Sequence, residues 1–255
     1  MSTRYESLKS DLLYPDVFHV AAPVSPVGRD VWPRQAGVFI RAGLVENVEQ
    51  ATGDEEPPGP TEATETTETT EAGEVAAADK PLRELPPHAL GAGQFGLVPR
   101  WVKSVSDAKL RSTKLVNARS ETVTTSNNFR DAWLGGQRCI VPMMAFMEDD
   151  WRSGKAVPTR IARVDGKPMG VAGLWERWAG ADGEVIISFT VLTVNANSHA
   201  LMSRYQQPGN EKRMLAILNE GAYGAWLSAK PEKAKEFMRA YPANWLTANP
   251  VEKSR

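Results

Sequence analysis

The stretch TRIARVDGKPMGVAGLWERWAGADGEVIISFTVLTV, residues 159–194, decides the fold class of this chain. Three strand-like runs lie within it, at residues 159–164, 169–174 and 184–194. Asp-Gly pairs at 165–166 and 182–183 provide turn signals after the first run and before the third. The middle of the chain is therefore predicted to be rich in β-strands.

Further patterns extend this prediction to both sides of the central stretch. Strand-like runs occur at residues 37–41, 94–101 and 138–142, and helical patterns at residues 198–202, 221–227 and 231–239. The last helical pattern begins with proline, which is favoured in the first turn of a helix. We predict an α+β fold that is mainly β, with a curled, barrel-like sheet and peripheral helices.

Residues 46–87 differ in composition from the rest of the chain. They run through Gly53-Asp54-Glu55-Glu56-Pro57-Pro58 into a tract of threonine, glutamate and alanine, with almost no large apolar side chain. Such a segment cannot bury enough surface to offset the entropy lost on ordering, so it is predicted to be a disordered acidic insertion. The part before it is too short to fold alone, and residues 1–255 are therefore predicted to form a single domain.

Charge and cysteine content limit the function classes. The 30 basic and 31 acidic residues nearly cancel, but the acids concentrate in the insertion and leave the remainder net basic, which weakly favours a polyanionic partner. Cys139 is the single cysteine, lies in an apolar run and is interpreted as a buried strand residue in a reducing cytoplasm. No metal-ligand spacing, signal peptide or long apolar stretch occurs, so neither a metal nor a membrane is expected.

Two polar patterns are candidate sites. In Asn117-Ala118-Arg119-Ser120-Glu121, an extended backbone would place Asn117, Arg119 and Glu121 on one side, where they could clamp a phosphate or a sugar. Taken alone, this pattern fits a structural Arg-Glu ion pair better. Glu148 follows an apolar run that begins at Ile140, and at the end of a buried strand its pKa would be raised for proton transfer, although a solvated turn acid is the simpler interpretation.

Aromatic and histidine residues leave similar alternatives open. Trp101 and Trp151 could stack on unpaired bases, while packing in the core is expected for most of the eight tryptophans. His199 could be a helix-start residue or a site residue, with the helix start slightly favoured.

Five segments occur in an order that resembles the SRAP family, the SOS response-associated peptidases known for covalent capture of abasic sites in single-stranded DNA. These segments are Met1-Ser2-Thr3-Arg4-Tyr5, Gly96-Leu97-Val98-Pro99-Arg100-Trp101, Asn117-Ala118-Arg119-Ser120-Glu121, Gly136-Gln137-Arg138-Cys139-Ile140-Val141-Pro142 leading to Glu148, and Leu192-Thr193-Val194-Asn195-Ala196. Each is weak alone, but together and in order they are specific. The resemblance covers nearly the whole chain outside the insertion and implies a barrel-like core with a positively charged groove for single-stranded DNA.

The resemblance also implies roles for individual residues. Asn117 would orient the N-terminus or the lesion sugar, and Glu148 would transfer protons. Arg119 would contact phosphate. The other DNA-binding residues that it implies are Arg4 as a phosphate contact, Trp101 as a base-stacking wedge, Glu121 within the Asn-Ala-Arg motif, and Thr193 as a support for the site.

Position 2 departs from the family. Family members begin Met-Cys, and methionine removal exposes a cysteine whose amine and thiol condense with the lesion aldehyde to a stable thiazolidine ring, whereas this chain has Ser2. Methionine removal is still expected because serine is small, and a free α-amine with a pKa of about 8 can form a Schiff base. Ring closure through a hydroxyl gives only a labile oxazolidine, so reversible capture is predicted.

A second departure concerns the family histidine, which falls in the segment matching residues 202–214, where this chain has none. Gln206 takes the position most nearly, and a glutamine can donate a hydrogen bond but cannot shuttle a proton. The two replacements indicate either a degenerate member kept for DNA binding or, at Ser2 alone, an engineered substitution.

The leading hypothesis is a DNA-damage protein that captures abasic sites in single-stranded DNA, with Ser2, Asn117, Glu148 and Gln206 as catalytic residues. One alternative is a non-catalytic member that binds single-stranded DNA. The other is a peptidase with Ser2 as N-terminal nucleophile. We expect a cytoplasmic monomer without cofactor, metal or membrane contact.

Overall fold

The structure is a computed structural model and describes residues 2–43 and 88–251. The strands in this part of the chain are β1 (Tyr5–Glu6), β2 (Asp30–Val31), β3 (Ala36–Ala42), β4 (His88–Phe95), β5 (Asn117–Arg119), β6 (Arg138–Met143), β7 (Ala145–Asp150), β8 (Val157–Arg163), β9 (Met169–Ala179), β10 (Val185–Asn195), β11 (Arg213–Leu215), β12 (Ile217–Leu218) and β13 (Leu246–Pro250). The α-helices are α1 (Leu13–Phe18), α2 (Val105–Ser112), α3 (Arg130–Leu134), α4 (Tyr223–Leu227) and α5 (Pro231–Ala234). Short 3-10 helices occur at Met202–Arg204, Glu220–Ala222, Lys235–Phe237 and Ala243–Trp245. The predicted mainly β, α+β fold is confirmed.

Five of these strands close into a barrel. Strand β3 pairs with β4 and β6, β6 pairs with β9, and β9 pairs with β10. Strand β10 runs parallel to β4 and closes the ring. A closed sheet satisfies the backbone groups of every member strand, which explains why the long runs in β9 and β10 remain paired along their length. This barrel is the curled sheet that the sequence predicts.

A second sheet packs beside the barrel, with strand order β13-β8-β7-β1-β2 and antiparallel pairing throughout. The chain passes from β6 in the barrel to β7 in this sheet at Met144, whose N–H donates to the carbonyl of Glu6 at 2.9 Å. Glu148 therefore lies within β7, and the prediction that it ends the strand containing Ile140 is wrong. The apolar run looks continuous because residues 138–148 are buried on both sides of the break.

Aromatic packing holds the N-terminal strand against the barrel. The ring of Tyr5 meets Phe95 edge-on with centroids 5.3 Å apart, and Phe95 stacks on Phe189 at 5.5 Å. Gly37 permits this approach, since a Cβ there would lie 2.5 Å from the Tyr5 hydroxyl and 2.9 Å from the Phe189 ring. The start of the chain is thereby fixed in the core.

Several predicted element bounds are wrong. The strand predicted at residues 94–101 is β4, which ends at Phe95, because Gly96 turns the chain with φ 113° and passes so close to Ser112 that a Cβ would lie 2.1 Å from its carbonyl oxygen. Residues 198–202 form turns that lead into the 3-10 helix Met202–Arg204 instead of an α-helix. The helix predicted at 231–239 is only α5 followed by a 3-10 turn.

Strands β3 and β4 flank the predicted insertion and pair in register from Ala36 opposite Gln94 to Ala42 opposite His88. The chain on either side of residues 44–87 thus belongs to neighbouring strands of one sheet. The predicted disordered segment at 46–87 itself lies outside the described residues, and the single-domain organisation stays a prediction.

Candidate functional site

Ser2 is held at a fixed place although it lies at the start of the chain. The pairing of β1 with β7 continues through a bond from the Met147 N–H to the Arg4 carbonyl, 3.0 Å. Ser2 is only 5% exposed, and its carbonyl accepts a hydrogen bond from Asn117 Nδ2 at 2.6 Å. Its hydroxyl donates to the Arg4 carbonyl at 3.1 Å. The backbone of Ser2 is therefore oriented by groups from two different sheets.

Glu148 lies beside Ser2 and is buried. Burial raises the pKa of Glu148 to about 7, while hydrogen bonds from the Gln206 side chain and from the Ser2 backbone N–H act in the opposite direction. A carboxyl group with this pKa exchanges protons readily near neutral pH. The interpretation of Glu148 as a solvated turn acid is thus wrong.

Gln206 is built rigidly into the same place. Its backbone has φ 68°, in the left-handed region, and its N–H donates to the Asp149 carbonyl at 2.8 Å. Its Nε2 donates to the Arg213 carbonyl at 2.7 Å, and its Oε1 accepts from the Arg213 N–H at 3.1 Å. We call Ser2, Asn117, Glu148 and Gln206 the Ser2 cluster.

Strand β5 connects this cluster to a second one. It runs parallel to β10, with Asn117 opposite Val191 and Arg119 opposite Thr193. Since alternate residues of a strand share a face, Asn117 and Arg119 point the same way and Ala118 is buried behind them. The prediction that Glu121 shares this face is wrong, because the strand ends at Arg119 and the chain then turns.

Arg119 and Glu121 each have an ion-pair partner, but not each other. Arg119 Nη1 lies 2.6 Å from Glu211 Oε2. Glu121 accepts two hydrogen bonds from Arg213, at 3.1 Å from Nη1 and 2.7 Å from Nη2. We call Arg119, Glu121, Glu211 and Arg213 the arginine cluster.

Arg213 is the centre of the arginine cluster. It is 1% exposed and also donates to Glu211 Oε1 at 2.9 Å and to the Thr193 carbonyl at 2.7 Å. Thr193, likewise 1% exposed, accepts from Arg213 at 3.1 Å through its hydroxyl oxygen. Thr193 therefore reaches the site only by positioning Arg213 and offers no surface for direct contact.

One cavity of about 710 Å³ is lined by members of both clusters, although Ser2, Asn117 and Glu121 are not part of its lining. Its lining includes Arg4, Arg119, Glu148, Gln206 and Glu211. These residues make part of the cavity wall polar, and two tryptophans also line the cavity.

Of the two tryptophans named from the sequence as candidates for stacking on bases, Trp151 lines the cavity and Trp101 does not. Trp32 lines it as well, and the Arg4 guanidinium lies 4.9 Å from the Trp32 ring centroid. Trp101 is not part of this lining. The Arg111 guanidinium packs over its ring, 4.5 Å from the ring centroid, and its Nε1 donates to the Asn127 carbonyl at 3.0 Å. A stacking role for Trp101 stays a prediction.

Other candidates from the sequence have structural roles. His199 Nδ1 accepts the N–H groups of Leu201 and Met202 at 3.2 and 2.9 Å, and its Nε2 lies 2.7 Å from the Tyr241 carbonyl, so it caps a turn. Cys139 is a buried free thiol on β6 whose pKa is raised by burial, as its apolar run predicts. Within residues 2–43 and 88–251, no group of three His, Cys, Asp or Glu side chains could hold a metal. No helix in this part of the chain is long and apolar enough to cross a membrane.

Three residues of the site were missed by sequence reasoning. Arg213 and Glu211 lie in the segment 202–214, which matches the part of the family that contains the histidine, and the only local sign of Arg213 is its position at the start of a short apolar run. Trp32 stands in Val31-Trp32-Pro33, where a large aromatic residue before proline, in an extended segment, was a weak sign of an exposed ring.

Comparison with known proteins shows similarity to one protein family and to several of its named members. A family model described as SOS response associated peptidase (SRAP) matches residues 67–254. The abasic site processing protein YoqW of Bacillus subtilis (strain 168) is 31% identical over 166 residues, which is 64% of this chain and 69% of that protein. The abasic site processing protein HMCES of Gallus gallus is 26% identical over 179 residues, 62% of this chain and 51% of that protein.

Solved structures agree with this placement. A crystal structure of a protein from Bordetella bronchiseptica has a TM-score of 0.78 at 37% identity and covers 98% of this chain and 100% of its own. A second, from Bacteroides thetaiotaomicron, has a TM-score of 0.58 at 26% identity and covers 64% of this chain and 70% of its own. Since the family model matches well over half of the sequence, this chain belongs to the SOS response associated peptidase (SRAP) family.

Proposed function

We propose that this protein processes abasic sites in single-stranded DNA and captures the lesion aldehyde with the amine of Ser2 after removal of Met1. The observation that carries the proposal is the placement of Ser2, whose carbonyl is held by Asn117 at 2.6 Å and whose backbone nitrogen is hydrogen-bonded to Glu148. Relatives named abasic site processing proteins support the same substrate.

The chemistry needs one nucleophile and one group that carries protons. The neutral amine of Ser2 attacks the aldehyde carbon and forms a carbinolamine. Loss of water then gives an imine, so that one water molecule is released for each bond formed. Glu148, whose pKa is raised by burial, accepts the proton that the amine nitrogen loses and returns it to the departing hydroxyl.

Recognition of the strand is assigned to the rest of the cavity. Arg4 and Arg119 provide guanidinium groups for phosphates, and Trp32 and Trp151 provide ring faces for neighbouring bases. An abasic sugar lacks the base that would otherwise prevent it from reaching Ser2, so the lesion enters most easily.

Capture by Ser2 is expected to be reversible. A cysteine would close a stable thiazolidine ring on the imine, whereas the Ser2 hydroxyl is weakly nucleophilic and is already engaged with the Arg4 carbonyl. The imine is therefore left open to hydrolysis.

The test is an adduct assay with the mature protein, checked by mass for loss of Met1. Incubation with abasic single-stranded oligonucleotide and borohydride should give a trapped secondary amine at Ser2. Protein acetylated at the Ser2 amine is the matched control and should give none. The Ser2→Cys variant should give an adduct that survives without borohydride.

Absence of a trapped adduct, with normal binding to an undamaged strand, would exclude the catalytic part. In that case the second candidate, a non-catalytic single-strand DNA-binding protein, would be favoured, and Ser2→Ala would leave the affinity unchanged. A peptidase with Ser2 as nucleophile ranks below both, because the hydroxyl donates to a carbonyl and not to a base.

A further inference from the structure

The phosphate contact proposed for Arg119 is already occupied by an acidic side chain of the protein. Arg119 Nη1 lies 2.6 Å from Glu211 Oε2, and both residues line the cavity that contains Glu148. The Arg119 side chain is 49% exposed, so a strand that enters the cavity can reach its guanidinium. A phosphate that binds to this guanidinium therefore competes with the Glu211 carboxylate.

Glu211 is surrounded by donors in the way that a bound phosphate would be. Its Oε2 takes the hydrogen bond from Arg119, while its Oε1 accepts from Asn195 Nδ2 at 2.8 Å and from Arg213 Nη1 at 2.9 Å. Two anionic oxygens that receive three donors reproduce the contacts of two non-bridging phosphate oxygens. The donors of Arg119, Asn195 and Arg213 could therefore bind a phosphate of a DNA strand in place of the Glu211 carboxylate.

The charges of the arginine cluster sum to zero. Arg119 and Arg213 contribute two positive charges, and Glu121 and Glu211 contribute two negative ones. A phosphate added at Arg119 would make the cluster net negative and would lie next to the Glu211 carboxylate. Like charges at such short distance repel, so a phosphate bound at Arg119 and the paired Glu211 carboxylate weaken each other's binding.

Glu211 stays ionised while it blocks the site. Its hydrogen bond from Asn195 and its contacts with Arg213 lower its pKa, so protonation does not remove the charge near neutral pH. The side chain is 32% exposed and lies in the loop that precedes β11, so part of it is in contact with water.

We propose that Glu211 is an internal competitor for the strand phosphate at Arg119, and that it lowers the affinity of this protein for undamaged single-stranded DNA. This rests on the proposed function, because it concerns the same cavity. Both undamaged and abasic strands must displace the carboxylate to reach Arg119. An abasic strand also gains the imine with Ser2, so it stays bound at concentrations at which an undamaged strand does not.

The test compares the binding of a short fluorescein-labelled oligothymidylate over a range of salt concentrations. Glu211→Gln should bind about 2- to 5-fold more tightly than wild type, which is the size of one exposed charge pair. Its plot of log affinity against log salt should be steeper by about 0.7, because one more phosphate is neutralised. In the Arg119→Gln background the gain should disappear.

Glu184→Gln is the matched control, since Glu184 is an exposed acid outside the cavity lining. An equal gain in that variant would mean that net charge alone acts, and would overturn the inference. Thermal melting of Glu211→Gln, with Glu211→Ala as a second variant, separates loss of fold from loss of competition.

Other outcomes distinguish the two proposals. Unchanged or weaker binding by folded Glu211→Gln and Glu211→Ala, with wild type still trapped on abasic strands, would overturn the competitor role alone. Neither strand binding nor a trapped adduct in any variant would overturn the proposed function and the competitor role together.

Discussion

Two carboxyl groups that line one cavity have pKa values shifted in opposite directions. Glu148, in the Ser2 cluster, is 5% exposed, and burial raises its pKa to about 7. Glu211, in the arginine cluster, keeps 32% of its side chain exposed, and hydrogen bonds from Asn195 and Arg213 lower its pKa. Burial therefore makes one acid a proton carrier, while charged donors make the other a permanent anion.

The difference assigns separate tasks to the two halves of the cavity. Under the proposed function, chemistry on the aldehyde needs a group that gains and loses a proton, and the Ser2 cluster contains Glu148 for this step. Binding of the strand needs fixed charges, and these would be those of the arginine cluster. If the assignment is correct, substitutions in the two halves should separate capture from binding.

The largest effect is expected from Arg213→Met, which should lower the free energy of unfolding by about 3 to 4 kcal/mol. The substitution leaves Glu121, Glu211 and the Thr193 carbonyl without their buried partner. Urea denaturation measures the change. Arg119→Met, with its pair exposed, should change it by less than about 1 kcal/mol, and an equal loss in both variants would show that burial does not distinguish the two arginines.

A pH effect of about 3 kcal/mol should follow from Glu148. Its pKa is raised from 4.5 to about 7, so the folded state holds a proton that the unfolded state releases between these values. Stability due to this group is thus present below about pH 4.5 and lost as the pH rises to about 7. Glu148→Gln does not titrate, so the free energy of unfolding of this variant should rise relative to wild type over the same range. A constant difference would contradict the raised pKa.

Capture of the aldehyde should fall about 100-fold in Glu148→Gln, the usual size of general acid-base assistance. The rate of borohydride-trapped adduct formation at saturating DNA measures it. Glu184→Gln serves as the charge-matched control and should trap at the wild-type rate. Retention of the full rate in Glu148→Gln would remove the proton-transfer role.

The smallest effect is expected from Asn117→Ala, which should slow capture about tenfold through loss of one hydrogen bond to the Ser2 carbonyl. Its affinity for undamaged strand should stay near that of wild type. Arg119→Gln should show the reverse pattern, with a weaker and less salt-dependent affinity and normal trapping at saturating DNA. Identical patterns in the two variants would break the division between the clusters.

Local sequence patterns predicted much of the fold. The runs at residues 169–174 and 184–194 are β-rich and became β9 and β10 of the barrel. Within the site, Asn117, Arg119 and Glu148 were found because their motifs occur in a specific order, although each motif alone favoured a structural interpretation. The structure places Asn117 and Glu148 at Ser2, and it places Arg119 and Glu148 on one cavity.

The rest depends on contacts between distant residues. The break between β6 and β7 is made by a bond from Met144 to Glu6, which no local pattern contains. Arg213 is buried because β11 pairs with β10, opposite Asn195, and an isolated arginine gives no sign of this. The acidic partner of Arg119 is likewise Glu211, far along the chain, and not the neighbouring Glu121.

The burial of Ser2 has a practical consequence for preparing the protein. Any purification tag or leftover protease-site residue ahead of Ser2 converts its nitrogen into an amide, which is not nucleophilic, and must also share the space beside Glu148. Under the proposed function, protein made with such an extension could not form the imine and would be scored as inactive. Trimming by a methionine aminopeptidase would then be the step that creates the nucleophile, and activity assays should begin from protein with a free Ser2 amine.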